Sequence, residues 1–249
     1  MSVIAVAGGT GVIGRMVVEA ARSAGHDVVV IARSAGVDLM TGAGLDDALR
    51  GVQVVIDVAN VTTMSRKKAV GFFGAMTERL LAAEQRAGVG HHVVLSIIGI
   101  DRVDYGYYEG KRRQEELVTA GPVPWTILRA AQFHEFAGQM LDRLPGPVTP
   151  MPRMLSQPVA AKEVAEELVR LAAGEPRGFA PEIAGPERLD VTDMARDVIR
   201  ARHQRRVILP LRIPGAVGKA MREGGLLPTG EATVGRIRFA DWLGASRAV

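Results

Sequence analysis

The apolar run Val3 to Ala7 leads directly into Gly8, Gly9, Thr10, Gly11, Val12, Ile13 and Gly14. No other feature narrows the fold so far. Gly9, Gly11 and Gly14 satisfy the spacing G-x-G-x-x-G, while Gly8, Gly11 and Gly14 satisfy G-x-x-G-x-x-G. Both spacings answer the same need for a tight turn, a backbone bare enough for close approach, and a helix packed tightly on a strand. Val12, Met16, Val17, Ala20 and Ala21 then recur at helical spacing up to Gly25, and Val28 to Ile31 is a second β-branched run. The spacing predicts a strand, helix and strand of about thirty residues, with a helix N-terminus at the glycine turn ready for an anion. In that context the glycines point to a dinucleotide pyrophosphate rather than to a merely structural turn.

The alternation continues. Val52 to Ala59 reads as a strand, Phe72 to Ala87 as a helix stopped by Gly88, Val93 to Ile98 as a strand, Gly110 to Thr119 as a helix, and Trp125 to Leu128 as a strand. Strands alternating with helices give an α/β fold, a Rossmann-like doubly wound parallel sheet, with ligands at the carboxyl ends of the strands. After about residue 130 the rhythm breaks. Five of the 13 prolines fall between Pro145 and Pro158, which predicts a long ordered loop there. Helical patterns resume at Ala161 to Ala172 and Val191 to Arg200, an apolar strand pattern covers Phe179 to Ala184, and Thr233 to Leu243 is amphipathic. We expect residues 1–130 to form the dinucleotide-binding domain. Residues 131–249 are expected to form a smaller C-terminal substrate lobe packed on it as one unit, with strands able to return to the sheet.

Composition narrows the chemistry. The 249 residues are long enough to bury roughly three quarters of their unfolded surface without a disulfide or metal. Zero cysteine excludes zinc-thiolate, iron-sulfur and thiol-nucleophile chemistry, and five scattered histidines offer no metal spacing beyond the pair His91 and His92, so no metal site is expected. The excess of 31 Lys+Arg over 27 Asp+Glu is too small and dispersed for a nucleic-acid footprint. The cationic run Arg200 to Arg206 reads as a solvated helix terminus. No apolar stretch approaches the ~20 residues of a membrane span, and no basic leader precedes Ser2 to Ala7, so a cytoplasmic protein is expected, as monomer or homodimer.

Which dinucleotide binds depends on the end of the second strand, where NAD-binding sites carry an acid for the ribose hydroxyls. Here the chain has Arg33, a planar cation suited to a 2′-phosphate, and Ser34 as a further donor. NADP(H) is therefore expected in preference to NAD(H). All three tyrosines lie at 105, 107 and 108, and Tyr107 alone stands four residues before Lys111, on one face of a starting helix. A nearby ammonium favours a phenolate and is expected to lower the Tyr107 pKa. Tyr107 could then protonate a carbonyl oxygen as hydride reaches its carbon, and Lys111 could hold the nicotinamide ribose.

Beyond the glycine loop and the Tyr107–Lys111 segment, Val94 to Gly99, Leu128 to Phe133 and Glu182 to Glu187 complete a pattern. Together these segments resemble the short-chain dehydrogenase/reductase superfamily, and within it the atypical NmrA-like NAD(P)-binding proteins, over nearly the whole chain. The resemblance implies that Asp38, after a short third strand and followed by Leu39, caps the adenine. It implies that the loop after the fourth strand, with Ala59, Asn60 and Val61, runs along ribose and nicotinamide. After the sixth strand, Ala131, Gln132 and Phe133 would wall the nicotinamide. Carbonyl-reducing members place Ser or Thr just past the fifth strand. Here Ser96 comes one or two positions early, so it is either a group that touches cofactor and substrate or a strand-end residue bonded to backbone.

Phe133, His134, Met151 and Met154 are the substrate-contact candidates, with Phe136 and Met140 nearby. An apolar pocket of this kind suits an aromatic or otherwise hydrophobic small molecule. The expected activity is an NADPH-dependent oxidoreductase that reduces a carbonyl, quinone or enone. The rivals are a non-catalytic NADP(H) redox sensor of the NmrA type and a nucleotide-sugar epimerase or dehydratase. Many NmrA-like proteins lack the tyrosine, so Tyr107 favours an enzyme.

Overall fold

The computed structural model describes residues 1–245. The chain forms two compact units, each discontinuous in sequence. The first comprises Met1–Ser96, Tyr105–Arg129 and Lys162–Ala180; the second comprises Ile97–Asp104, Ala130–Ala161 and the chain from Pro181.

The first unit opens with β1 (Val3–Ala7), α1 (Val12–Ser23) and β2 (Asp27–Ile31), as the glycine spacing predicts. It continues with α2 (Leu45–Ala48), β3 (Val54–Asp57), α3 (Arg66–Ala87) and β4 (His91–Ile97, whose last residue belongs to the second unit). Then come α4 (Gly106–Ala120), β5 (Trp125–Ala130, again ending in the second unit), α6 (Ala161–Ala172) and β8 (Gly178–Phe179). The strand order is β8-β5-β4-β3-β1-β2. β1 pairs in parallel with β2 and β3, β3 with β4, and β5 with β8. This is the Rossmann-like arrangement, and its strands are buried apolar runs because helices cover them. Ala5, Ala7, Ile31, Val55, Val94 and Ile127 from the strands meet Leu45, Leu80 and Val118 from the helices, and Leu49 just past α2, in one core.

Both long helices begin a turn or more earlier than their apolar periodicity shows. In α3 the Ser65 hydroxyl accepts the Lys68 N–H, and the polar first turn of Arg66, Lys67 and Lys68 carries no apolar stripe to read. The two helices pack closely. A Cβ on Gly110 of α4 would stand 2.7 Å from the Phe73 ring and 2.8 Å from Ala69, so only glycine admits this approach. Residues 36–39 form no strand; Arg33–Ala35 is a 3-10 turn ended by Gly36 at φ +79°, and the strands that follow each rank one lower than the resemblance implied.

In the second unit are α5 (Glu135–Arg143), β6 (Val148–Pro152), β7 (Leu155–Ser156), β9 (Glu182–Ala184), β10 (Leu189–Asp190) and α7 (Val191–Ala201). β11 (Val207–Leu211), α8 (Gly215–Arg222), β12 (Ala232–Val234) and α9 (Phe239–Ala245) complete it. The proline-rich stretch is thus not a plain loop. β6 accommodates Pro150 and Pro152 because it pairs with β11 alone, so their missing N–H groups break no central ladder. Ala180 and Pro181 split the expected strand 179–184 into β8 and β9, and the amphipathic tail resolves into β12 and α9.

The cationic run after α7 is not simply solvated. Arg206 donates to the carbonyls of Leu141, Leu144 and Gly146 and to the Thr149 hydroxyl, adding side-chain donors at the C-terminal end of α5. No helix among the described residues is long and apolar enough to cross a membrane.

Candidate active site

The glycine turn is built by contact. Gly8 adopts φ +79°, and a Cβ there would meet Ala59 Cα at 2.8 Å, so the turn lies directly against the loop that follows β3. Gly11 N–H closes onto Gly8 O at 2.9 Å, and a Cβ on Gly14 would stand 2.1 Å from that same oxygen. Helix α1 therefore starts as near the turn as backbone permits. Its N-cap, Gly11, supplies no side-chain cap, and its first turn holds no acid, so the first N–H groups stay available to an anion. Thr10, Gly11 and Val12 are exposed, Ile13 is half-buried, and Arg15 reaches back to the Thr10 carbonyl at 2.6 Å. A cradle that any Cβ at Gly14 would fill fits a dinucleotide pyrophosphate.

Arg33 and Ser34 are exposed at the end of β2, in the 3-10 turn. Asp38 is half-buried, and its carboxylate accepts the Met40 N–H at 2.7 Å, which shapes the following turn. Leu39 packs against two apolar clusters, one of them built on Ala59, Phe73 and Met76 with Val61 and Tyr107 around it.

Tyr107 donates its phenolic hydrogen to Asn60 Oδ1 at 2.7 Å; the same oxygen accepts the Val61 N–H at 2.7 Å. Its ring meets Phe73 edge-on, with centroids 5.8 Å apart. The glycine turn, the loop 58–61 and the phenol thus form one continuous set of contacts. Burial raises the Tyr107 pKa well above 10, partly offset by the Asn60 bond. This reverses the lowering expected from Lys111. The ammonium turns instead to the Leu95 carbonyl at 2.6 Å and to Gln114 Oε1, and it sits 4.9 Å from the centroid of the Phe73 ring. Phe73 thereby touches both groups. Burial pushes Lys111 down to about 8, against the pull of Asp57 and Glu115.

Behind Lys111 lies a polar network that the sequence reading missed. Gln114 donates to Asp57 Oδ2 at 2.8 Å, and Asp57 Oδ1 accepts the Ala59 N–H at 2.9 Å. Deeper still, His92 Nδ1 lies 2.8 Å from Glu84 Oε1, both side chains wholly inaccessible. Burial raises Glu84 and Asp57, each countered by His92. Burial also pulls His92 down, but Glu84 and Asp57 together carry it above its ordinary value. The available signal was Asp57 closing an otherwise apolar strand and Gln114 three residues after Lys111.

Ser96 is the penultimate residue of β4, 2% exposed, and its hydroxyl has no hydrogen-bond partner among the described residues; it takes no backbone bond. In the second unit, Ala131 N–H donates to the Ile183 carbonyl, Val159 N–H donates to Gln132 O, and Phe133 bridges Val159. His134 is buried, bonded through Nε2 to the Pro158 carbonyl at 3.1 Å and enclosed by Phe239 and Trp242. Met151 and Met154 are buried in that unit's core.

A strand entering a bare glycine turn, an uncapped helix N-terminus beside it, and an exposed arginine after the second strand define a nicotinamide-dinucleotide-binding protein of Rossmann-like fold. Residues 35–174 match the family described as NAD(P)H-binding, and the chain belongs to that family. A curated relative, the (4-alkanoyl-5-oxo-2,5-dihydrofuran-3-yl)methyl phosphate reductase of Streptomyces griseus, is 31% identical over 144 residues, covering 52% of this chain and 48% of the relative. The chain therefore matches about half that relative's length. Among solved structures, the Escherichia coli NADPH-dependent quinone oxidoreductase QOR2 in complex with NADPH superposes with a TM-score of 0.73 at 17% identity, over 98% of this chain and 99% of that one. TunA, an NAD-dependent NDP-hexosamine 5,6-dehydratase, gives 0.74 at 16% identity, over 100% and 97%. At such identities these likenesses speak for the fold.

Proposed function

We propose that this chain is an NADPH-dependent reductase of the short-chain dehydrogenase/reductase type, acting on a carbonyl, quinone or enone of a small apolar or aromatic molecule. The observation that carries the reading is the Tyr107 phenol, half-buried on Asn60 in the loop that touches the glycine turn, with the Lys111 ammonium one helical turn on. Bound NADPH supplies the hydride. The chain's own residues supply the rest.

A phenol whose pKa is raised by burial is neutral across the physiological range, so Tyr107 holds a proton at its oxygen for a substrate oxygen that gains charge. Of the three donors on Lys111, two are engaged by Leu95 and Gln114, leaving one for the nicotinamide ribose. The unbonded Ser96 hydroxyl is the second group offered to the substrate oxygen. Exposed Arg33, with Ser34, favours the 2′-phosphate of NADP(H), and Asp38 with Leu39 flanks the adenine. The curated relative is named for an oxo-dihydrofuran phosphate and the fold neighbour QOR2 for a quinone; what the two names support is a reducible oxo group.

The test is NADPH oxidation by the purified protein against quinones, enones and aromatic ketones. Tyr107→Phe should lower kcat by about a hundredfold or more, the usual worth of a positioned acid, with NADPH affinity retained. Unchanged turnover in the variant would remove Tyr107 from the chemistry. Tight NADPH binding with no turnover by wild type would overturn the reductase reading in favour of a redox sensor.

A further inference from the structure

The route from Asp57 to Lys111 has a direction. Ala59 N–H donates to one carboxylate oxygen of Asp57 and Gln114 Nε2 to the other, while Gln114 Oε1 faces the ammonium, which also donates to Leu95 O. Both Asp57 oxygens accept, as a carboxylate's must. The amide stands between an anion and a cation with its oxygen toward the cation and its nitrogen toward the anion, the only orientation in which every donor meets an acceptor. All three side chains are nearly inaccessible: Asp57 is 1%, Gln114 1% and Lys111 5% exposed. Water therefore cannot substitute for any of them.

We infer that Asp57 and Gln114 are positioning residues for Lys111, the buried carboxylate keeping the ammonium charged and in place through the amide. The inference rests on the reading of Lys111 as the group that holds the cofactor ribose. The substitution Asp57→Asn shows why. The chain of bonds then carries one donor too many: the new side-chain amide presents an NH2 to Gln114, and if Gln114 turns its oxygen to accept it, its own NH2 faces the ammonium. Lys111 relieves the conflict by giving up its proton. Other charges act on the same ammonium. Glu115 lies on its own helix and is tied to Arg129 at 2.6 Å; His92 from β4 opposes it, and Glu84 from α3 is His92's partner. None of these is hydrogen-bonded to Lys111; Gln114 and Leu95 are.

The direct test is nuclear magnetic resonance of the full chain labelled with 13C at lysine Cε. The chain has five lysines, and Lys111→Met identifies the signal of interest. In wild type that signal should titrate near 8, and in Asp57→Asn its midpoint should fall by about one pH unit or more, with the other four lysines unmoved. Gln114→Met, which leaves Asp57 in place, should move the midpoint in the same direction and serves if Asp57→Asn does not fold. An unmoved midpoint in either folded variant overturns the inference. NADPH binding, followed by its fluorescence across the same pH range, should lose affinity at the Lys111 midpoint and shift with it in the variants. A midpoint that moves without the binding limb moving overturns the cofactor role of Lys111 and leaves the relay standing, so the two failures are distinct.

Discussion

Gly14→Ala should abolish tight cofactor binding by displacing the turn, and the displacement can be worked out. The new Cβ would lie 2.1 Å from Gly8 O, 2.8 Å from Gly8 C and 2.8 Å from Gly9 Cα. All three are backbone atoms, so no rotamer change relieves the overlap. Ordinary contact begins near 3.4 Å, which requires a shift of 3.4 − 2.1, or about 1.3 Å. That shift pulls on the oxygen that accepts the Gly11 N–H at 2.9 Å, and a displacement of that size carries an amide donor out of the ~2.7–3.2 Å range of a hydrogen bond to an anion. Two lost hydrogen bonds to a charged pyrophosphate, at about 1.5–3 kcal/mol each, weaken NADPH binding by roughly 10²- to 10⁴-fold. Overpacking also costs about 1–3 kcal/mol of stability. Gly25→Ala is the matched control. Its φ of +82° gives a strain of about 1–2 kcal/mol, yet a Cβ there meets nothing within 4 Å, so binding should be unchanged. Fluorescence titration with NADPH and urea unfolding of both variants separate the two effects. A folded Gly14→Ala protein that binds NADPH within about threefold of wild type would refute the assignment of this turn as the pyrophosphate site.

Two further outcomes follow from named side chains. Arg33→Asp should weaken NADPH by about ten- to a hundredfold, one charge-assisted bond, while NADH affinity holds or improves; equal losses for both cofactors would unseat the 2′-phosphate assignment. His91, 2.8 Å from the Thr126 hydroxyl, has its pKa lowered to about 4 chiefly by burial. Between 6.5 and 4 the unfolded chain takes up a proton that the folded chain refuses, so this group's contribution to stability is lost as pH falls through that window. The melting temperature of His91→Gln should therefore fall less steeply than that of wild type over the same range; identical slopes would count against a buried neutral imidazole.

The glycine loop was readable because one backbone need, close approach, dictates both the residue type and its spacing, and the fold's first half follows from it. The alternation of strands and helices up to Leu128 was equally plain because each buried strand is an apolar run. Periodicity failed where local chemistry rather than burial defines an element. The first turn of α3 is cationic and that of α4 is a glycine, two tyrosines and a glutamate, and β6 and β11 are an isolated pair carrying prolines. At the site, Tyr107 and Lys111 share a helix face as their spacing requires, but spacing says nothing of what each side chain bonds. Asn60 and Gln114 intercept them, and the pKa of Tyr107 moves opposite to the expectation because the phenol is buried, a rise that the Asn60 bond only partly offsets. Asp57 and Glu84 passed unnoticed, and His92 was read only as one of an adjacent histidine pair, because a buried charge in one segment makes sense only beside its partner from another.

The chain passes between its two compact units after Ser96, Asp104, Arg129, Ala161 and Ala180. During synthesis, then, the cofactor-binding unit cannot be finished when the glycine loop, Tyr107 and Lys111 have all left the ribosome. It still awaits α6 and β8, the segment Lys162–Ala180. A nascent chain halted after Arg129 would hold every residue proposed here for hydride transfer in the first unit and still leave β5 without the neighbour that pairs with Thr126 and Ile127. Such an open edge invites pairing with another chain. Expression of the first 130 residues as a minimal nucleotide-binding fragment should for that reason yield aggregate, whereas the whole chain closes that edge with its own later segment.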